Sequence, residues 1–150
     1  MTESKKSPNN DWAIITGGTS GIGLAYATEL AKKKKPIILV ARNESKLAEV
    51  TESLSREYGV ASKFISADLS NYQGVNKVID ETSELSVDLL INNAGKEESG
   101  QYLMLNTQDM LSSIVLNCAA PMRLTHHFAN KMVGIGGGDI LFLSSIVAFQ

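Results

Sequence analysis

The sequence predicts a doubly wound α/β fold, in which helices cover both faces of a parallel sheet to give three layers. Apolar runs of strand length alternate with helix-length segments along the 150 residues. Runs such as Ile37 to Val40 are apolar at consecutive positions, as expected of strands covered on both faces. This strand-helix-strand repetition implies right-handed crossovers and therefore a parallel sheet. The five predicted strands are Trp12 to Thr16, Ile37 to Ala41, Lys63 to Ser66, Val87 to Ile91 and Asp139 to Ser144.

Helical periodicity fills the segments between these strands. The segment after Asn43 and the segment from Val75 to Leu85 repeat apolar residues at spacings of three and four, which predicts one apolar face on each helix. The first helix is predicted from Leu24 to Lys34, and a long central helix from Thr107 to Met132. The cations Lys32 to Lys35 are expected to form a solvated helix end, where positive charge suits the helix dipole.

Composition indicates one globular domain, residues 11–150, after a polar tail of residues 1–10. Fourteen basic and sixteen acidic residues give no reason to expect nucleic acid or an acidic membrane as a partner. No apolar run approaches the roughly 20 residues of a membrane-spanning helix, and the tail lacks the apolar core of a signal peptide. With the single cysteine, Cys118, this predicts a cytoplasmic protein. His126 and His127 are adjacent and point to different helix sides, so we predict no metal site.

A glycine-rich segment follows the first predicted strand and leads directly into a helix. Glycines allow a tight turn and close approach of the backbone to a pyrophosphate, while amides at the helix start attract its negative charge. The spacing differs from the G-x-G-x-x-G of the common dinucleotide fingerprint. An ordinary strand-to-helix turn is the alternative interpretation, which the strand-turn-helix context disfavours. The segment is Thr16-Gly17-Gly18-Thr19-Ser20-Gly21-Ile22-Gly23.

Further polar motifs follow the later strands. Asn92-Asn93-Ala94-Gly95 follows the fourth strand, and Ser144-Ser145 ends the fifth. The central helix places Asn117 four residues before Pro121, which has no backbone N–H, so the Asn117 carbonyl is left free to bind water. A satisfied kink at Asn117 and an ordinary strand terminus at Ser145 are the simpler alternatives.

Over residues 11–150 these motifs resemble those of the short-chain dehydrogenases/reductases, a Rossmann-type family of NAD(P)-dependent oxidoreductases. The glycine segment is similar to the family's T-G-x-x-x-G-I-G, and its N-N-A-G motif is unaltered. The resemblance implies hydride transfer between a nicotinamide and a small-molecule carbonyl or alcohol substrate, and a homo-oligomer for the full-length form. For the N-N-A-G motif, bridging of neighbouring strands is an equal alternative to lining the cofactor. The implied cofactor residues in these two motifs are Gly17, Thr19, Ser20, Gly21, Ile22, Gly23, Asn93, Ala94 and Gly95.

The end of the second strand indicates which dinucleotide is preferred. Where the dinucleotide fold usually has an acid for the ribose hydroxyls, this chain has Ala41 followed by Arg42. A guanidinium can bind a 2′-phosphate through paired hydrogen bonds, so the arrangement resembles NADP-preferring members and predicts NADP(H). Asp68-Leu69 resembles the family's pair beside the adenine ring. The alternative interpretation of Arg42 is an ordinary surface arginine at a strand end. The alternative interpretation of Asp68-Leu69 is a helix N-cap region before Asn71.

The resemblance also implies catalytic roles for Asn117 and Ser145. The matching asparagine holds a water in the proton-relay path, and the matching serine donates a hydrogen bond to the substrate carbonyl and stabilises its developing charge. The family's tyrosine acid lies beyond this serine in a Y-x-x-x-K motif, whereas all four tyrosines here precede Ser145. We therefore expect a chain truncated after the fifth strand and inactive by itself.

Three interpretations of such a chain remain open: a fragment of a complete reductase, a truncated protein that only binds nucleotide, or one half of a split enzyme. A Rossmann-type methyltransferase is the alternative outside the family, since it also has glycines after its first strand. That class is expected to have an acid where Arg42 stands, and it has no use for the Asn117 and Ser145 pair.

Overall fold

The computed structural model of the protein describes residues 11–145 as one sheet of five parallel strands with helices on both faces. The strands lie in the order β3-β2-β1-β4-β5, which confirms the predicted doubly wound α/β class. The elements are β1 (Trp12–Thr16), α1 (Gly21–Lys32), β2 (Ile37–Ala41), α2 (Glu44–Tyr58), β3 (Ser62–Ser66), α3 (Tyr72–Glu81), β4 (Val87–Asn92), a 3-10 turn (Tyr102–Met104), α4 (Thr107–Ile114), a π turn (Val115–Ala119), α5 (Ala120–Gly134) and β5 (Asp139–Phe142).

Two apolar cores lie on opposite faces of the sheet, because successive side chains of a strand alternate in direction. On β1, Ile14 belongs to the core that α3 and α5 cover, and Ile15 belongs to the core that α1 and α2 cover. Both side chains are fully buried. Helix α5 contributes Leu124 and Phe128 to the first core, also fully buried. The consecutive apolar residues of the central strands are therefore explained by burial on both faces.

Strand β1 pairs with β2 on one side and with β4 on the other. The strand order therefore changes direction at β1, since β2 and β3 follow on one side of it and β4 and β5 on the other. Thr16 at the end of β1 is aligned with Val40, and Ile15 is aligned with Ile91 of β4. In doubly wound sheets such a switch point opens a crevice outside the carboxyl ends of the strands. The glycine segment and the N-N-A-G motif both begin at this edge.

The central helix is not continuous as predicted, because the π turn Val115–Ala119 interrupts it. The Ala120 N–H donates to the carbonyl of Val115, five residues earlier. Pro121 follows immediately and cannot donate a helical hydrogen bond to Asn117, which gives a local reason for the widened turn. Other boundaries differ from the predicted ones by one to three residues. Helix α1 spans Gly21–Lys32 rather than Leu24 to Lys34, and β5 ends at Phe142 rather than Ser144. The smaller differences are that β3 begins at Ser62, β4 ends at Asn92 and α5 ends at Gly134.

The prediction of a fully solvated lysine cluster after α1 is wrong at its far end. The Lys35 ammonium lies 2.5 Å from a carboxylate oxygen of Asp88, and their side chains are only 19% and 13% exposed. The Lys34 ammonium donates to the carbonyl of Tyr58. Both partners come from elements distant in the sequence, and the lysine run therefore ties α1 to β4 and to the end of α2.

Candidate functional site

The glycine segment forms a tight loop between β1 and α1. Gly17 and Gly21 have φ angles of +66° and +52°, in the left-handed region that favours glycine. A Cβ on Gly23 would lie 2.3 Å from the carbonyl oxygen of Gly17, so α1 begins directly against the loop backbone. Ser20 is the N-cap of α1, yet its side chain makes no capping hydrogen bond to the first amides. An anion at this helix start would meet amides that no side-chain cap satisfies.

Asn93 connects this loop to the end of β4. Its side-chain N–H group donates to the carbonyls of Thr16 (2.8 Å) and Gly17 (3.0 Å). In return, the Thr16 hydroxyl oxygen accepts from the backbone N–H groups of Asn93 (3.0 Å) and Ala94 (2.9 Å). The motif therefore bridges neighbouring strands, as one of its two predicted roles required, and it fixes the shape of the glycine loop.

A cleft of about 320 Å³ opens where the strands end, at the switch point. It brings together most of the predicted cofactor residues, although Gly21, Ile22 and Gly23 lie outside its lining. Six lining residues were not predicted as cofactor residues, because none belongs to a motif with a recognised spacing: Val40, Ala41, Asn43, Ala67, Lys96 and Leu116. The cleft is lined by Gly17, Thr19, Ser20, Val40, Ala41, Arg42, Asn43, Ala67, Asp68, Leu69, Asn93, Ala94, Gly95, Lys96 and Leu116.

Asp68 stands in this cleft as a fixed carboxylate. Its Oδ1 accepts from the backbone N–H (2.9 Å) and the hydroxyl (2.7 Å) of Ser70. Burial by itself would raise the pKa of Asp68, but the two bonds from Ser70 and the cations Arg42 and Lys96 lower it below its ordinary value. Asp68 is therefore ionised at neutral pH and available as an acceptor, while the exposed Arg42 supplies a positive charge to the same cleft.

The N-cap of α3 is Asn71, so Asp68 has no capping role. The Asn71 Oδ1 accepts from the Gly74 N–H at 2.9 Å. A Cβ on Gly74 would lie only 1.9 Å from the carbonyl oxygen of Asp68. Helix α3 thus begins in direct contact with the Asp68-Leu69 backbone, which places this pair at the edge of the cleft.

Asn117 is held by its side chain in the π turn. Its Oδ1 accepts from the Lys96 backbone N–H at 3.0 Å, and its Nδ2 donates to the Lys96 carbonyl at 2.7 Å. A Cβ on Gly95 would lie 3.3 Å from the same Oδ1, so the loop after β4 approaches Asn117 closely. The Asn117 side chain is therefore used at both of its polar atoms by the Lys96 backbone. The backbone carbonyl of Asn117 receives no helical hydrogen bond from Pro121, which has no N–H, so this carbonyl is the group of Asn117 that is suited to binding water.

A small cavity of about 40 Å³ lies beside this turn, lined in part by Asn92, Asn117 and Pro121. One water needs about 10–15 Å³ of such space and two or more polar partners. Asn92 is 6% exposed and donates from Nδ2 to the Thr125 hydroxyl at 3.2 Å, while its buried Oδ1 has no hydrogen-bond partner within residues 11–145. The site is therefore polar and large enough for a water.

Ser145 lies exposed just beyond the carboxyl end of β5. Leu143 still bonds to the sheet, since its N–H donates to the Asn92 carbonyl at 2.9 Å. Phe142 and Leu143 line the same small cavity as Asn117. The two predicted catalytic residues are thus placed at one edge of the sheet, on elements that share a cavity.

Neither a metal centre nor a membrane span is evident in the described part of the chain. Residues 11–145 contain no group of three or more His, Cys, Asp or Glu side chains that could hold a metal ion. Among the same residues, no helix has both the length and the apolar character needed to cross a bilayer.

The parallel sheet, the glycine loop at its switch point and the N-N-A-G bridge define a Rossmann-type domain of the short-chain dehydrogenase kind. Residues 11–150 match the family model described as short chain dehydrogenase. The chain therefore belongs to the short-chain dehydrogenase family.

Particular relatives share about a third of the sequence. The chain is 35% identical over 138 residues to very-long-chain 3-oxoacyl-CoA reductase-B of Danio rerio, covering 89% of this chain and 44% of that protein. A short-chain dehydrogenase from Sphingobium yanoikuyae, solved in complex with NADPH, superposes with a TM-score of 0.88 at 34% identity, covering 93% of this chain and 55% of that one. L-Sorbose reductase from Gluconobacter frateurii, complexed with NADPH and L-sorbose, gives 0.88 at 32%, covering 95% and 55%. The chain thus spans about half the length of these proteins.

Proposed function

We propose that this chain is the nucleotide-binding part of an NADP(H)-dependent oxidoreductase, which transfers hydride between the nicotinamide and a carbonyl or alcohol carbon. The observation that carries the proposal is the cleft at the switch point, which unites the glycine loop, Arg42 and Asp68. In this proposal, residues 11–150 form the NAD(P)-binding domain and residues 1–10 are a polar tail that precedes it.

The proposed cofactor contacts follow the geometry of the cleft from one end to the other. The pyrophosphate lies over the glycine loop at the start of α1, where uncapped amides and the helix dipole favour negative charge. Arg42 binds the 2′-phosphate, and no carboxylate follows β2 to repel it. The adenine lies against Asp68 and Leu69. The two related structures in complex with NADPH support this choice of dinucleotide.

The nicotinamide end of the cofactor is proposed to lie near the π turn and the carboxyl end of β5. The nicotinamide, when bound, supplies or accepts the hydride. The Ser145 hydroxyl donates a hydrogen bond to the substrate oxygen and stabilises the negative charge that develops there. The Asn117 carbonyl holds a water in the cavity it shares with Asn92, and this is the water of the proton relay that the family resemblance implies.

A 3-oxoacyl thioester is the first substrate class to test. Several relatives at 32–35% identity carry the name very-long-chain 3-oxoacyl-CoA reductase. Their reacting group, by that name, is a ketone. The proposed site needs only such a polarised carbonyl beside the Ser145 hydroxyl.

The test is turnover by the full-length protein with NADPH or NADH and a panel of aldehydes, ketones and 3-oxoacyl-CoA thioesters. We expect carbonyl-dependent oxidation of NADPH, reduced about 10²–10³-fold in Ser145→Ala because the donor to the developing oxyanion is lost. Nucleotide binding without turnover on any carbonyl would favour a binding protein without catalysis. Binding of S-adenosylmethionine in place of NADPH would favour a methyltransferase and overturn the proposal.

A cytoplasmic location and a homo-oligomeric full-length form are also proposed. The near-balanced charge and the single cysteine support the location. Cell fractionation and size-exclusion chromatography of the full-length protein test these two proposals separately.

A further inference from the structure

A polar cluster joins the loop after β4 to the last turn of α4. The Lys96 ammonium lies 2.7 Å from an Oε1 of Glu98 and 2.8 Å from the Ser112 hydroxyl. The Ser113 hydroxyl donates to the same Glu98 oxygen at 2.9 Å. These four residues, named here the loop-helix cluster, form a closed set of contacts between two separate elements.

Burial distinguishes this ion pair from those on the helix surfaces. The Lys96 and Glu98 side chains are 30% and 27% exposed, whereas those of the Lys32 and Glu29 pair are 50% and 62% exposed. The hydrogen bonds from Lys96 and Ser113 lower the pKa of Glu98 below its ordinary value. Ion pairs shielded from water are screened less than exposed ones, so this pair holds its partners together more firmly.

Within residues 11–145, no residue of helix α4 is buried, so polar contacts attach it to the rest of the described chain. Its large apolar side chains Leu111 and Ile114 are 51% and 58% exposed. Apolar packing against the other described residues therefore does little to fix this helix. The loop-helix cluster supplies the side-chain contacts that attach its last turn to the loop after β4.

The same loop holds Asn117. The Lys96 backbone N–H and carbonyl form the two hydrogen bonds to the Asn117 side chain, while the Lys96 side chain bonds to Ser112 just before the π turn. Lys96 thus contacts the helix just before the π turn, at Ser112, and within it, at Asn117. A shift of Lys96 relative to Ser112 would be transmitted to Asn117 through both contacts.

We propose that Lys96 and Glu98, with Ser112 and Ser113, are positioning residues that fix Asn117 at the small cavity. The catalytic consequence rests on the function proposed above, but the structural consequence does not. None of the four needs to touch the substrate. Their role is to hold the π turn in register with the loop that follows β4.

The direct test is NMR of the Asn117 side-chain amide in the full-length protein, with its resonances identified by Asn117→Asp. In Lys96→Met and Glu98→Gln we expect shifted amide resonances and hydrogen exchange about two- to fivefold faster, the range set by a partly exposed ion pair. Lys96→Arg should restore the wild-type values. The matched control is Lys32→Met, which breaks the 2.7 Å pair with Glu29 on α1 and should leave Asn117 unchanged.

A kinetic measurement separates positioning from general stability. If the wild type turns over, Glu98→Gln should lower kcat by about two- to fivefold with little change in KM for NADPH. The reason is that Asn117 loses its fixed position while the residues that contact the nucleotide keep theirs. Should Lys96→Met fail to fold, the isosteric Glu98→Gln decides the question. Asn117 resonances that move no more in Glu98→Gln than in Lys32→Met would overturn the proposal. A wild type without turnover would count against the proposed function alone.

Discussion

Replacement of Gly23 by alanine tests the contact between α1 and the glycine loop. The added Cβ would lie 2.3 Å from the Gly17 carbonyl oxygen and 2.5 Å from the Asn93 Nδ2, where ordinary contact begins at 3.4 Å. The loop and α1 must therefore separate by about 1 Å. The displaced Asn93 group donates to the carbonyls of both Thr16 and Gly17, so the bridge to β4 is strained as well.

The expected cost combines two effects. Overpacking of a well-packed contact costs about 1–3 kcal/mol, and weakening of the two Asn93 hydrogen bonds contributes about 1 kcal/mol in total. We therefore expect Gly23→Ala to lower the free energy of unfolding by about 2–4 kcal/mol. NADPH affinity should fall by at least about tenfold, because the amides proposed to meet the pyrophosphate move with the loop.

Urea unfolding and NADPH titration measure both effects, and two other glycines provide graded controls. Neither Gly134 nor Gly21 has any heavy atom within 4 Å of its added Cβ, but Gly21 has a φ of +52°. Gly134→Ala should be neutral or stabilising by up to about 1 kcal/mol, since alanine favours the helix. Gly21→Ala should cost about 1–2 kcal/mol from backbone strain alone. A Gly23→Ala protein as stable as Gly21→Ala, with unchanged NADPH affinity, would show that α1 does not pack directly against the glycine loop at Gly23.

Three further predictions address other parts of the molecule. Gly74→Ala should destabilise the protein by about 1–3 kcal/mol and weaken NADPH binding, because its Cβ would lie 1.9 Å from the Asp68 carbonyl oxygen; full stability in urea would contradict this. Burial lowers the pKa of His127, so its neutral form contributes stability that is present above its ordinary pKa of 6.5 and lost as the pH falls through the lower folded-state value. Urea midpoints across this range should therefore depend less on pH in His127→Gln than in the wild type; equal slopes in the two proteins would count against it. A polypeptide of residues 1–150 should bind NADPH yet reduce carbonyls about 10²–10⁴-fold more slowly than an intact family member, because it has no positioned acid to protonate the oxygen; turnover at a normal rate would mean that a residue present here replaces the tyrosine.

Much of the sheet could be predicted from the sequence, because a strand that is buried on both faces needs apolar residues at consecutive positions. Strands β1, β2 and β4 are apolar at consecutive positions, and the structure places them at the centre of the sheet. The glycine loop was also predictable, since positive φ angles at Gly17 and Gly21 require the residue found there. Local chemistry dictates these features, and the sequence shows local chemistry directly.

The π turn and the polar pairs were not predictable in the same way. Pro121 indicated a missing hydrogen bond at Asn117, but not that the helix would widen around it instead of bending. The Lys96 contacts with Asn117 and Ser112, and the ion pair of Lys35 with Asp88, join residues far apart in the chain. Such pairings depend on how packed elements meet, and no spacing in the sequence encodes them.

The most direct test of the central claim is titration of NADPH and NADH against the wild type and Arg42→Glu, monitored by nucleotide fluorescence. Arg56→Glu on the exposed face of α2 is the control for the change in net charge. We expect the wild type to prefer NADPH, and Arg42→Glu to weaken NADPH binding by about 1–3 kcal/mol while NADH binding changes much less. Equal losses for both nucleotides, or no change in either, would contradict the assignment of Arg42 to the 2′-phosphate and with it the proposed cofactor.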